Sequence, residues 1–471
     1  MKFTHSYHQL GSSFSQEINP EPVAGPELFL WNSQLQQNLG LTSELKDQAS
    51  EYFSGNKLIP GSIPIAQAYA GHQFGHYNPQ LGDGRAHLLG EIGLGNGGAI
   101  DIQLKGSGRT NFSRRGDGRC ALGPAIREYV MSEALHALGV PTTRALAVVK
   151  TGEQVYRTGP EQGAIVTRVA SSHIRVGTFQ YHAQSGKIEN LQRLVDYTIN
   201  RHFPEIDTDS PDKVVSLIRA VINKQVTLIT EWMRIGFIHG VMNTDNTAIS
   251  GETIDYGPCA MMGTYNPRTV FSSIDTEGRY CFGNQPAIMQ WNMTRFAESL
   301  LPLVNSDTKA AVKQVEPLIE EITELYYSSY YKMMAQKLGL KDTDKPLTEQ
   351  LLSVMKKYKL DYTQTFIDLG NSLSSTNKQT AIPELKQWCD EWVKKTDSDS
   401  QNIMAKVNPL VIPRNHHVES VIQDCIEQNS SHSAERFLSA LAEPYTESEK
   451  LASYQDLPPD GDRYYQTFCG T

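Results

Sequence analysis

His239-Gly-Val-Met-Asn-Thr-Asp-Asn246, followed by Thr253-Ile-Asp-Tyr-Gly257, decides how this chain is read. Asn246 and Asp255 offer the hard oxygen ligands that Mg²⁺ prefers, with the remaining positions left to phosphate and water. Their spacing of nine residues predicts a loop–strand–strand hairpin that brings both to one spot. Asp245, directly before Asn246, adds a carboxylate able to take a proton if correctly placed.

His239 and Asn246 stand at the spacing of the protein-kinase catalytic loop, H-R-D-x-x-x-x-N, and Asp255-Tyr-Gly257 stands for the D-F-G that follows it. Val241 occupies the position of the kinase base and cannot accept a proton. Upstream, Lys105 closes the strand-like run Ala99–Lys105. Glu128 follows 23 residues later, in a predicted helix over Pro124–Leu138 that has Pro near its start and Gly139 just past its end. In kinases a strand Lys pairs with such a helix Glu so that the ammonium is aimed at nucleotide phosphates. Lys105, Glu128, Asn246 and Asp255 together, in this order, predict a site for a nucleotide polyphosphate with a divalent metal.

Two glycine clusters compete as the phosphate loop. Gly93-x-Gly95-x-x-Gly98 lies one strand before Lys105 and reads as a hairpin turn, a lone G-x-G-x-x-G being a weak signal. Gly82-Asp-Gly84-Arg85 has two strands between it and Lys105, which suits a phosphate-covering loop, and Arg85 adds a charged fork. The basic loop Ser113-Arg-Arg-Gly-Asp-Gly-Arg119, with Asp117 and Gly118, either wraps an anion or is a solvated turn. Arg168 and Arg175 follow the last of three short predicted strands (145–149, 154–157, 163–169) and would suit bidentate phosphate contacts.

The remainder reads as helices: 191–203, 213–235, one around Leu300, 312–336, 347–357, 360–373, 384–394, 418–428 and 434–442, with 397–401 as a connector. The pattern predicts an α+β, protein-kinase-like two-lobed fold. Residues 1–178 form an N-lobe of small antiparallel sheet plus helix with an N-terminal extension. Residues 179–300 form a mainly helical C-lobe with the catalytic loop and an activation-like segment, and 301–471 a helical C-terminal region and tail. A net charge of −9 gives no overall basic character to suggest nucleic acid, and no apolar run reaches the roughly 18 residues of a membrane helix. Six cysteines without C-x-x-C pairs argue against zinc spacings and a secreted disulfide framework. A cytoplasmic monomer is expected.

Gly82-Asp-Gly-Arg, Gln103-Leu-Lys-Gly-Ser-Gly-Arg-Thr, Arg114-Arg-Gly-Asp-Gly-Arg-Cys, Arg127-Glu-Tyr, the two opening motifs and a Cys third from the C-terminus resemble the selenoprotein O family of pseudokinase-like protein adenylyltransferases. The resemblance implies that ATP binds flipped relative to protein kinases, so that AMP passes to Ser, Thr or Tyr hydroxyls of protein substrates. It implies Asp245 as proton acceptor and Asn246 and Asp255 as ligands of Mg²⁺, with Mn²⁺ an alternative. Lys105, Arg168 and Arg175 would contact the phosphates, and Gly82, Gly84, Arg85, Asp117, Gly118 and Asp255 would line the nucleotide site. It further implies redox control through a disulfide between Cys469 and an activation-segment cysteine. That segment offers Cys259 and Cys281, whereas the partner would be expected near Ser272. Uridylylation with UTP and Mn²⁺ and a catalytically silent nucleotide-binding scaffold are the alternatives.

Overall fold

Near-continuous burial along the long strands in the first third of the chain marks a sheet with both faces covered. The computed structural model describes residues 1–95, 97–374, 381–458 and 460–468 and gives a mixed α+β molecule. The strands are β1 (Phe3–Thr4), β2 (Ser15–Glu17), β3 (Glu27–Trp31), β4 (Ile65–Gln67), β5 (Gly71–Gln73), β6 (His76–Asn78), β7 (Ala86–Gly93), β8 (Ala99–Lys105), β9 (Cys120–Ala121), β10 (Arg144–Tyr156) and β11 (Pro160–Ala170). Among the described residues, nine form one antiparallel sheet in the order β2-β4-β7-β8-β11-β10-β3, with β1 on β7 and β9 on β11. The hairpin β5–β6 stands apart from it.

Successive side chains of a strand point to opposite faces, and here neighbours enter different cores. Leu89, Val149 and Ile165 pack with α1 (Ser33–Asn38), α2 (Glu44–Asp47) and α3 (Ala49–Phe53). Leu88, Val148 and Val166 face α4 (Leu122–Ala137) and join the main core of the helical part. That part comprises α5 (Val176–Gln184), α6 (Ile188–His202), α7 (Lys213–Ile235), α8 (Gln285–Val304), α9 (Thr308–Lys337), α10 (Lys345–Tyr358), α11 (Tyr362–Ser374), α12 (Pro383–Val393), α13 (Ser400–Val407), α14 (Asn415–Glu427) and α15 (His432–Leu441). No helix of the described residues is long and apolar enough to cross a membrane.

The C-terminal region packs back onto the sheet-bearing part, with α14 and α15 lying against α4. Arg127 of α4 ion-pairs with Glu419 of α14 and donates to Tyr465 Oη at 3.0 Å and to the Cys259 carbonyl at 3.4 Å. The tail then runs beside the segment 258–273. Thr467 N donates to Phe271 O (2.8 Å), Ser273 N to Thr467 O (2.9 Å) and Thr467 Oγ1 to Pro258 O (2.7 Å).

Several sequence expectations change. The runs 145–149 and 154–157 are one strand, β10, because the irregularity between Lys150 and Gln154 is absorbed by Gly152 at φ +72° without breaking the pairing to β11. Arg168 lies within β11 rather than after it. The helices α5 and α13 were not expected; α5 carries Gly177 and α13 begins inside the predicted connector, so propensity and period hid both. Between Asn246 and Asp255 there is no strand hairpin. A turn closed by Gly251 N donating to Ala248 O is flanked by isolated bridges from Ala248 to Arg175 and from Thr253 to Thr142.

Candidate active site

A cleft of about 810 Å³ opens between the glycine loops of the sheet-bearing part and the 241–255 segment. Antiparallel register sets Lys105 opposite Val166 and Arg168 opposite Gln103, so both cations leave the sheet on the α4 face. Glu128 meets them there: Lys105 Nζ is 2.7 Å from its Oε2, and Arg168 ion-pairs with both of its oxygens. Burial alone would raise this carboxyl, but Arg168 and Lys105 overcome it and hold Glu128 down at about 2. Asp255 completes the cluster, its Oδ1 3.0 Å from Lys105 Nζ and 3.5 Å from Arg168 Nη2. Desolvation opposes its charge, yet Lys105, Arg168 and Arg85 hold it far below the usual carboxylate range. Asp255 also sits at φ +69°, a left-handed conformation that a non-glycine residue keeps only where its surroundings impose it.

Next to Asp255, buried His239 accepts from Val241 N through Nδ1 at 3.3 Å, and its Nε2 lies 2.9 Å from the Ile254 carbonyl, which ties the two halves of the opening motif together. Asn246 Nδ2 donates to Val241 O at 3.1 Å, which leaves its amide oxygen as the available donor atom. Asn246 and Asp255 both line the cleft. A neutral amide oxygen beside a carboxylate held ionised is a donor set that fits Mg²⁺. Asp245 is buried, packed against Gly71 of β5, and accepts from Gln73 Nε2 at 3.2 Å, while its Oδ1 is buried without a partner. Desolvation outweighs the opposing effect of Arg175 and pushes the Asp245 carboxyl up to about 6.

The loops that face this segment pack glycine against backbone or ring. A Cβ on Gly82 (φ +74°) would lie 2.2 Å from the Phe112 ring, and one on Gly118 (φ +70°) would lie 2.2 Å from the backbone of Gly108. Gly84, Arg85, Arg114, Arg115, Gly116, Asp117, Gly118, Arg119 and Arg157 all line the cleft. Arg157 grips Asp117 through two bonds (2.8 and 3.1 Å), which fixes the loop's acidic residue and lowers its carboxyl.

The structure brings Gly82, Gly84, Arg85, Asp117, Gly118, Asp245, Asn246 and Asp255 to one cleft. Lys105, Glu128 and Arg168 stand behind it as a buried ion cluster. Arg175 is also buried: it donates to the Asp245 carbonyl at 2.8 Å, lies 3.8 Å from Asp83 and stacks over Tyr69 at 4.6 Å. Arg157, Tyr69 and Gln73 were missed by sequence reading, because residues far apart in the chain meet here without a motif. Cys259 is buried with its thiol pushed up to about 12 by desolvation, Cys281 is half-buried, and both are free thiols. Cys469 lies outside the described residues. Ser272 is bridged to Thr467 of the tail.

One other group among the described residues gathers metal-ligating atoms: His416, His417 and Asp456. Both imidazoles already reach the Asp456 carboxylate, at 3.4 and 2.7 Å. They lie in the first turn of α14, whose positive end disfavours a cation, so the group is satisfied as it stands.

A sheet lysine and arginine joined through a helix glutamate, two glycine loops that bring arginines to the cleft, and an Asn/Asp oxygen pair are the parts of a nucleotide-handling enzyme. The family model described as protein adenylyltransferase SelO matches residues 1–442. Proteins named protein nucleotidyltransferase YdiU are 50% identical from Teredinibacter turnerae (over 486 residues, all of both chains) and from Pseudoalteromonas translucida (over 477 residues, all of both). One from Brevibacillus brevis is 50% identical over 480 residues, all of this chain and 97% of that one. The chain belongs to the SelO family of nucleotidyltransferase enzymes.

Proposed function

We propose that this protein transfers AMP from ATP to Ser, Thr or Tyr hydroxyls of protein substrates, in a kinase-like two-lobed fold with the nucleotide turned round relative to kinases. Family membership supports the reaction class, and the position of Val241 on the cleft wall beside Asp245 supports the displaced base. In this reading the N-lobe spans 1–178, the C-lobe 179–300 and the helical C-terminal region 301–471. The cleft arginines Arg85, Arg114, Arg115, Arg119 and Arg157 neutralise the phosphates, which is where most of the catalysis of such transfers lies. The acceptor oxygen attacks the α-phosphorus, the bond to the β-phosphate oxygen breaks, pyrophosphate leaves, and Asp245 takes the hydroxyl proton. Asn246 and Asp255 would hold Mg²⁺, which when bound supplies neutralising charge at the phosphates. Lys105 and Arg168 act in this reading by keeping Asp255 ionised and in place. The observation that carries the proposal is the convergence of Asp245, Asn246 and Asp255 with the arginine-lined glycine loops on one cleft.

Parallel incubation with α-³²P-ATP and γ-³²P-ATP tests it. Label on protein from the α-labelled nucleotide is expected; label from the γ-labelled nucleotide alone would make the enzyme a kinase. A silent nucleotide-binding scaffold is favoured by one observation, the burial of Asp245 Oδ1 without a partner. That reading expects Asp245→Ala to leave labelling unchanged.

A further inference from the structure

The β5–β6 hairpin is not part of the main sheet, yet it is fastened to the segment that carries the proposed base. Three consecutive residues bond three consecutive residues. His72 N donates to Thr244 Oγ1 at 2.7 Å, Gln73 Nε2 to Asp245 Oδ2 at 3.2 Å, and Phe74 N to Asn243 Oδ1 at 3.0 Å. The far sides of these partners are held as well. Thr244 Oγ1 donates to Gln180 Oε1 (2.7 Å), and Tyr280 Oη donates to Asn243 Oδ1 (2.6 Å). Gly71 closes the back of the carboxylate: a Cβ there would lie 2.8 Å from Asp245 Oδ1 and 3.0 Å from Asp245 Cβ. The hairpin's stem is pinned in turn by Ala70 N donating to Gly177 O at 3.0 Å, with no room for a side chain on Gly177.

Two consequences follow for Asp245. Its Oδ1 faces the closed side next to Gly71 and has no partner. Its Oδ2 is the oxygen held by Gln73, and Gln73 and Phe74 are themselves walls of the cleft, with Asn243 and the exposed Ile274 also lining it. A carboxylate oxygen has a second lone pair when one donor occupies the first. We propose that Gln73 is a positioning residue: it fixes the Asp245 side chain with Oδ2 turned to the cleft, so that the acceptor hydroxyl enters along the Gln73–Phe74 edge and meets that oxygen. This rests on Asp245 being the base, as proposed above. Without the Gln73 bond the carboxylate is free to turn about χ2, and misplacement of a reacting group on the scale of 1 Å costs on the order of 10²-fold in rate.

The experiment measures steady-state transfer of α-³²P label for the full-length chain, Gln73→Leu, Gln73→Ala, Asp245→Asn and the double variant Gln73→Leu/Asp245→Asn. Gln73→Leu keeps the bulk and removes the donor. It is expected to lower kcat about 10- to 100-fold with the KM for ATP within about twofold of wild type, since Gln73 acts in this proposal on the acceptor side only. In the Asp245→Asn background the same substitution is expected to change little, because a residue that acts through another loses its effect when that other is gone. Unchanged kcat in Gln73→Leu, a loss carried by KM for ATP, or an equal loss in the Asp245→Asn background would each overturn the inference. Full activity of Asp245→Asn would instead overturn the reading of Asp245 as base. Thermal unfolding of each variant separates a folding defect from a positioning effect: Gln73→Ala with wild-type Tm and lowered kcat supports the proposal, and lowered Tm with wild-type kcat counts against it.

Discussion

The 241–255 segment presents two aspartates to the cleft, and their surroundings treat them in opposite ways. Asp255 stands on the sheet side against Lys105 and Arg168, with Glu128 behind both cations. Asp245 stands on the hairpin side, where Gln73 is the side-chain donor and Arg175 gives its nearest bond to the backbone carbonyl instead. Desolvation acts on both, and only the cation-rich wall overcomes it: Asp255 is held far down while Asp245 is pushed up to about 6. A metal ligand has to stay charged, and a proton acceptor works best with an affinity nearer neutral pH. In the proposed reaction this difference in surroundings suits Asp255 to hold the metal and Asp245, ten residues earlier, to take the proton.

Substitutions can break this division in order of effect. Asp255→Asn is expected to cost about 10³-fold or more in label transfer, several kcal/mol of transition-state stabilisation, and to lower Tm because Lys105 and Arg168 then share Glu128 alone. Asp245→Asn is expected to cost roughly 10²–10⁴-fold, the usual worth of a positioned base. It should leave Tm at or above wild type, since it removes a buried charge whose Oδ1 has no partner; a strong loss of Tm would mean that Asp245 is a structural anchor. Glu128→Gln strands two buried cations and is expected to cost about 3–5 kcal/mol in denaturant unfolding. A much smaller loss would show that Asp255 alone compensates them.

Acid titration sharpens the same contrast. The folded Glu128 carboxyl, at about 2, lies below its unfolded value, so the unfolded chain binds more protons in acid. Its contribution is present above the unfolded value of about 4.3 and is lost as pH falls through about 2. Glu128→Gln should flatten the loss of Tm over that window. Smallest is Tyr465→Phe, which removes one hydrogen bond to Arg127 and one to Glu419 and is expected to cost about 1 kcal/mol. Measured by unfolding alongside activity, it reports whether the tail's hold on α4 reaches the ion cluster.

Legibility in the sequence followed locality. Ala99–Lys105 and Lys213–Ile235 were read to the residue, because one is a short apolar run after a glycine turn and the other a long amphipathic stretch ended by Gly236. The sequence reads 93–98 as a hairpin turn, and Gly93 does pair with Ala99 across it. Residues 64–80 hold β4 and the β5–β6 hairpin, which the sequence does not announce, since three-residue strands give too few alternations to register. Arg168 and Arg175, which the sequence suggests for phosphate, are buried on a carboxylate and a backbone carbonyl, whereas Arg157, from the turn between β10 and β11, lines the cleft without any motif to mark it.

The sequence by itself determined which residue types stand at which spacing: a Lys before a helix Glu, an Asp–Asn pair before Asp-Tyr-Gly, and glycines where only a positive φ or a bare Cα fits. Those follow from local chemistry and from the short range of helix and strand periods. Beyond the Lys105–Glu128 pair, the tertiary structure decided which groups surround which carboxylate, because charge regulation acts through space over a few ångströms and the partners come from β8, α4, β11 and the β5–β6 hairpin. Asp245 and Asp255 are the same residue type in one segment, and what separates them is the wall each one faces.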